Sequence, residues 1–425
     1  MRHSIETSSR SVAWLALVTA CLLTHSADAQ LGASHFIERV ELTGIESTRA
    51  STLLELLPRP APAAYSDAEL SEVERRIANL EIFDDVSVQR KPPVLRIKVR
   101  EKWTLTPSFD LAGGESLADV YVFLGLTEYN LFGSASALAG SIYRERRGFG
   151  FSTGYWEHVY RRDRWSWAAE ASYSTSGLFF MEGAREDSWY TATAVASVWT
   201  TSTPVITDHL RYELGFVYKH EKVEDVIGAV RPPDGHMFGG SMLFTWDAYR
   251  WEDLTPIGWS ATVDVLPGFF FGPHVPQSRH QADVKLKGAL RLAQGLGLLA
   301  RLEGGVTTRG NANHSLLIGS LRGVRGLPDS FYFNWLQLYL NVELRHAVRL
   351  APRWALQGVL FADGGAFEGI TATGARGEAN VALSTGVGLR LIPTWLSGLV
   401  LRFDVGRVYT PEPAYFYQYG LSQYF

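Results

Sequence analysis

The sequence predicts a mostly β fold: a transmembrane antiparallel barrel of about sixteen strands, an even number as bacterial barrels require, preceded by one small α/β domain. Three observations lead there. Composition changes once, near residue 102: of 22 Phe, 18 Tyr and 13 Trp, only Trp14, Phe36, Tyr65 and Phe83 precede Trp103, and of 40 glycines only Gly32 and Gly44 do. Beyond that point apolar and polar residues alternate over long segments, the period of strands with two unlike faces. A mean hydropathy of −0.03 and the absence, in the mature chain, of about 18 uninterrupted apolar residues exclude a bundle of membrane helices.

The 425 residues carry 40 Lys and Arg against 44 Asp and Glu, a net charge of −4. No basic surplus exists to neutralise phosphates, so no nucleic-acid partner is expected. The single cysteine, Cys21, excludes an internal disulfide framework and any Cys-rich zinc site. The 11 histidines show no ligand spacing. No metal or cofactor is expected.

At the N-terminus Arg2 and Arg10 precede an apolar run at 12–23, followed by Ser26-Ala27-Asp28-Ala29-Gln30. A basic start, a short apolar run and an A-x-A site make a secretory signal over 1–29, cleaved after Ala29. Val18-Thr19-Ala20-Cys21 also has the form of a lipoprotein cleavage box, so lipidation of Cys21 stays open. Cleavage after Ala29 leaves no cysteine, which suits an oxidising compartment.

Residues 34–102 read as the α/β domain. Residues 36–42 alternate and end at Gly44, a strand and its turn. A short helix over 48–57 carries Leu53, Leu54, Leu56 and Leu57 and stops at Pro58. Ser66-Asp67-Ala68-Glu69 is a capping box for a second helix, on which Leu70, Val73, Ile77 and Leu80 recur at helical spacing. Strands follow around Val86-Ser87-Val88 and over 94–99. This β-α-α-β-β order, with Leu80-Glu81-Ile82-Phe83-Asp84-Asp85-Val86 between helix and strand, resembles a polypeptide-transport-associated (POTRA) domain. The resemblance implies a periplasmic module that offers strand edges to client or partner chains.

Residues 103–425 read as the barrel. Leu336, Leu338, Leu340, Val342 and Leu344 alternate with Gln337, Tyr339, Asn341, Glu343 and Arg345, and residues 103–111, 211–219 and 283–292 repeat the pattern. A soluble sandwich also alternates. Segments of about 10 to 14 residues exceed the typical soluble strand of about 5 to 6. Aromatic residues at segment ends, Tyr155-Trp156, Trp246 to Trp251 and Trp335, fit interface girdles. The chain ends on Tyr415, Tyr417, Tyr419, Leu421 and Phe425 at even spacing. That ending resembles the recognition signal of bacterial outer-membrane barrels, although Gln423 breaks the apolar series.

The longest candidate loop runs over 308–333 and contains Val324-Arg325-Gly326-Leu327. One strand later comes Phe361-Ala362-Asp363-Gly364-Gly365. By parity Asp363 lies with Gln357 and away from Leu356, Leu360 and Ala362, so its carboxylate points into the lumen. A carboxylate there calls for a cation, and arginine is the best bidentate partner. Glycines flank Arg325, so its loop is able to fold inward and bring one.

These two segments resemble the VRG-aromatic and F-x-D-x-G motifs of the BamA/TamA superfamily of outer-membrane (surface-antigen) barrels. In that family the first motif precedes the twelfth strand and the second lies on the thirteenth, where the strand count puts them here. The resemblance carries the ion pair over to Arg325 and Asp363, with Val324, Gly326, Phe361 and Gly365 around it. Leu327 replaces the usual aromatic.

Gly150-Phe151-Ser152-Thr153-Gly154 matches a nucleophile pattern, but no helix follows it as an elbow needs. No enzyme activity is expected. The resemblance implies a barrel in the bacterial outer membrane that inserts or assembles other outer-membrane proteins. Its POTRA domain would receive unfolded clients from periplasmic chaperones or accessory assembly proteins, and a seam between the first strand (104–110) and the last (414–425) would act as a lateral gate in contact with outer-membrane lipid. The alternatives are a dedicated polypeptide secretion pore of the two-partner type and a passive structural barrel.

Overall fold

The computed structural model describes residues 34–420 apart from 113–120, 146–147, 159–164, 183–184, 203–208, 229, 253, 273–276, 310–313, 320–322, 328–331 and 397–398. The leader, with Cys21 and Ala29, and the terminal Leu421 and Phe425 lie outside the described residues.

The N-terminal module contains β1 (Ser34–Ile37), β2 (Arg39–Thr43), α1 (Ala50–Leu54), β3 (Ala63–Ser66), α2 (Asp67–Ala78), β4 (Phe83–Lys91) and β5 (Val94–Glu101). It is a small α/β unit consistent with a single POTRA-like domain. The strand read as continuous over 36–42 is two strands. β1 pairs antiparallel with β3 while β2 pairs parallel with β5. The chain changes partner at Glu38, whose N–H donates to the Pro93 carbonyl at 2.8 Å. Helix α1 is shorter than expected because its last turn tightens: Leu56 and Leu57 bond back three residues, to Leu53 and Leu54. The capping box on α2 forms as read, with Glu69 N–H on Ser66 Oγ at 3.2 Å and Ser66 N–H on Glu69 Oε2 at 2.8 Å. Its apolar stripe, Leu70, Val73 and Ile77, is buried against Leu53, Leu95 and Ile97.

The barrel begins with β6 (Leu105–Ala112), β7 (Tyr121–Glu128), β8 (Ala137–Glu145), β9 (Gly148–Trp156), β10 (Trp165–Glu182), β11 (Arg185–Ser202), β12 (Leu210–Ile227) and β13 (Gly235–Asp247). A short β14 (Arg250–Glu252) leads to β15 (Thr255–Phe271), β16 (Gln277–Ala293) and β17 (Leu296–Thr307). After a short β18 (Leu316–Ile318) come β19 (Tyr332–Ala351), β20 (Trp354–Ile370), β21 (Arg376–Pro393), β22 (Leu401–Thr410) and β23 (Ala414–Gly420). Setting β14 and β18 aside, sixteen antiparallel strands form one ring that closes from β23 onto β6. Residues 414–420 of β23 lie opposite β22, and Tyr419 and Gly420 lie opposite Leu111 and Asp110 of β6.

The wall is apolar outside and polar inside, the inverse of a soluble domain. On β19, Leu336, Leu338 and Leu340 are 42%, 50% and 44% exposed, while Asn341, Glu343 and Arg345 on the other face are buried. Only hydrocarbon covers such an outer band without cost. Rings border it at both ends. Trp165, Trp167 and Trp259 lie exposed at the module end, with Trp246 stacked on Trp259 at 5.7 Å. Phe149, Phe151, Phe238, Phe269 and Phe271 lie exposed at the far end. Trp335, at the far end of β19, lies under the Arg309 guanidinium at 5.0 Å.

The module is docked on the turn between β7 and β8. Arg49 N–H and the Thr52 hydroxyl donate to the Gly133 carbonyl at 2.9 and 2.8 Å, and Asn130 Nδ2 donates to Thr48 Oγ1 at 2.9 Å. Tyr129 and Ala135 of that turn pack on the module core. Glu101 fixes the segment that meets it, accepting from the N–H groups of Glu46, Ser47 and Thr48 at 2.8–3.0 Å. Burial alone would raise the Glu101 carboxyl, but the Thr48 side chain and these amides outweigh it and hold its pKa below the ordinary 4.5.

Candidate functional site

The segment joining β17 to β19 folds into the lumen and is fastened at two places. At its start, His314 lies 3.3 Å from Glu221 on β12, a carboxylate also paired with Lys219, and meets Phe270 of β15 edge-on at 5.4 Å. At its tip, Val324, Arg325 and Leu327 are buried against the opposite wall. There Asn341 Nδ2 donates to the Gly323 carbonyl at 2.7 Å, while Arg301 holds the Asn341 oxygen at 2.7 and 2.9 Å.

Arg325 has no exposed surface. Its Nε and Nη2 donate to the two oxygens of Asp363 at 2.6 and 2.8 Å, the bidentate geometry arginine suits best. Its backbone N–H adds a third bond to Asp363 at 3.2 Å. Its Nη1 donates to Glu343 on β19 at 2.6 Å. The guanidinium also lies over the Phe361 ring, 3.6 Å from the centroid. Strand parity explains the convergence: Phe361 and Asp363 are successive inward positions on β20, and Glu343 is the inward neighbour on β19. Gly365, the next inward position, leaves room for the loop, since a Cβ there would stand 3.1 Å from Val324 Cγ2.

Glu343 and Asp363 begin a wider layer of charge. Arg345 Nε donates to Glu343 at 2.5 Å, and Arg390 on β21 pairs with Asp404 on β22 at 2.7 Å. Asp404 lies 3.9 Å from Arg325. These groups are buried in the lumen, where a lost partner strands a charge. A second, apolar layer lies toward the far end. Trp189 and Val223, from β11 and β12, form an apolar cluster with Ile370 and Ala372 across the barrel, and Phe333 packs against it.

The structure therefore brings Val324, Arg325, Gly326 and Leu327 together with Phe361, Asp363 and Gly365 in one site. Sequence reasoning missed Glu343, Arg345, Arg390 and Asp404. A signal existed for the first two, which occupy the polar face of the most regular alternation in the chain. Tyr417 and Tyr419 of the terminal signal form no part of this site; they lie on β23, with Tyr417 63% exposed on the outer surface. Ser152 lies in the middle of β9 with its hydroxyl 2.8 Å from that of Ser141. Among the described residues no cluster of His, Cys, Asp and Glu could hold a metal ion.

No protein-family model matches the chain, and no curated protein matches it by sequence. Solved structures do. A BamA from Haemophilus ducreyi lacking POTRA domains 1–3 superposes with a TM-score of 0.51 at 15% identity, over 91% of this chain and 84% of that one. CdiB from Acinetobacter baumannii gives 0.61 at 12% identity, over 91% and 73%. CdiB from Escherichia coli gives 0.57 at 11% identity, over 94% and 92%. This chain has the fold of the BamA and CdiB structures: a sixteen-stranded barrel with a small α/β module ahead of it.

Proposed function

We propose that the chain is an outer-membrane barrel of the BamA/TamA type that assists insertion and assembly of other outer-membrane proteins, without covalent chemistry or a cofactor. The observation that carries this reading is the contrast between lumen and wall. The lumen holds an inward-folded loop, fastened by His314 on Glu221 and by Arg325 on Asp363 and Glu343, whereas the wall presents an apolar outer face and closes where β23 meets β6. The working surface is then the wall. An exposed edge at the seam templates an incoming strand, and the shorter strands on that side, nine residues in β8 and β9 and ten in β22 against eighteen in β10 and β11, thin the bilayer there. The module sits in the periplasm, and the outer edges of its β2-β5-β4 sheet receive unfolded clients from chaperones by strand addition.

The likeness to CdiB favours a second reading, a dedicated secretion pore, which requires the loop to leave the lumen. Reconstitution separates the two. The mature chain is placed in liposomes, and an unfolded barrel client held by a periplasmic chaperone is added. The expected result is faster appearance of heat-modifiable, protease-protected client, lost with Arg325→Ala. No acceleration with several unrelated clients would overturn the assembly reading in favour of secretion.

A further inference from the structure

Four inward positions on the last four strands lie in one cross-strand row: Phe361 on β20, Gly386 on β21, Gly406 on β22 and Phe416 on β23. The two rings lean over the two glycines, with centroids 6.3 Å apart and planes tilted by 43°. A Cβ on Gly386 would stand 2.4 Å from Phe361 Cζ, and one on Gly406 would stand 2.8 Å from Phe416 Cζ. The row is therefore a continuous aromatic pad, and the loop tip rests on it. Arg325 covers Phe361 at 3.6 Å. Gly326, at φ +86°, presses so closely on Phe416 that a Cβ would fall 2.2 Å from its Cδ1. Val324, Leu327 and Val408 complete this packing.

We propose that Phe416 is a positioning residue, through which the folded-in loop holds the last strand, and with it the seam edge, in place. The proposal rests on the seam being the working edge. Tyr415 and Tyr417, 82% and 63% exposed, face outward, where lipid solvates them equally well in any strand position. Gln418, the next inward side chain, is polar, so Phe416 is the inward apolar anchor of β23 among the described residues. β23 cannot swing out of the wall without pulling its ring from under Gly326. The loop, in turn, cannot leave the lumen without uncovering that ring. Gate and loop are thus coupled through one contact.

The test is amide hydrogen exchange of residues 414–420 in lipid nanodiscs, with no client present. Phe416→Ala is expected to speed exchange in β23 by about tenfold or more while leaving β10–β12 unchanged. Phe416→Leu, which refills the seat, restores slow exchange. Gly326→Ala speeds exchange in β23 by itself and adds little to Phe416→Ala, the non-additivity of a shared contact. Unchanged β23 exchange in Phe416→Ala, or full additivity of the two substitutions, would overturn the proposal. If Phe416→Ala does not fold, Phe416→Val takes its place in the same comparison. Coupling seen in a protein that inserts no client leaves the latch standing and removes the assembly reading instead.

Discussion

Strands β10 and β11 face each other along eighteen residues, from Trp165–Ser202 to Glu182–Arg185, whereas β23, which meets β6 where the ring closes, is also held from inside the lumen, with Phe416 beneath the loop tip. The two regions belong to one closed sheet but are held by different means. A long antiparallel ladder satisfies its own backbone and needs nothing from the lumen. Where the ring closes the lumen adds a second hold: Arg325 braces β19, β20 and the loop, and the loop tip sits on Phe416 of β23. One side of the ring is thus held by its ladder, and the closing side by packing from the lumen as well.

The largest expected effect breaks this comparison at the seam. Cysteines placed at Leu111 and Tyr419, directly opposite each other, are close enough to cross-link. Oxidation is expected to abolish client insertion in liposomes and reductant to restore it. The same pair at Ala171 and Ala196, opposite each other in the long ladder, should leave insertion unchanged. Equal effects of both pairs would show that the seam has no special role.

Next comes the brace. Arg325→Ala leaves Asp363 without its bidentate partner and Glu343 without one of its donors, a cost on the order of 3–5 kcal/mol for a fully buried pair. Urea unfolding and heat-modifiability on gels should both report it. Hydrogen exchange should show protection lost in β19–β23 before β10–β12. Uniform loss around the ring would mean that the long ladders also depend on the loop.

The smallest effect concerns the module joint. Because the Glu101 pKa is depressed in the folded state, its contribution is present above 4.5 and is lost as the pH falls through the lowered value. Glu101→Gln should remove about 1 kcal/mol of it at neutral pH. Exchange at Ser47 and Thr48 in acid and at neutral pH, in wild type and variant, measures both, with barrel exchange unchanged as the control.

Much of this was legible in the chain. The strand character of the barrel and the inward direction of Asp363 follow from one-dimensional pattern, because strand parity alone decides which side chains enter a lumen; the pairing with Arg325 is what the family resemblance implied and the structure shows. What escaped was lateral. Glu343 reaches Arg325 only because β19 and β20 are in register at Asn341–Asp363, and Arg390 meets Asp404 across two strands whose offset no spacing in the chain reveals. β1 and β2 were merged for the same reason: alternation continues through Glu38, while the hydrogen-bonding partner changes there.

By itself, then, the sequence determined the class of each residue's surroundings. Period-two alternation fixed an apolar outside and a charged inside, and a capping box fixed the head of α2, since both are local consequences of backbone geometry. Only the tertiary structure decided in which register the first and last strands meet at the seam. It also placed Phe416, an unremarked ring in a tyrosine-rich terminus, beneath the glycine of a loop ninety residues earlier. Register and closure depend on the stagger of all sixteen strands together, and no local stretch of chain contains that sum.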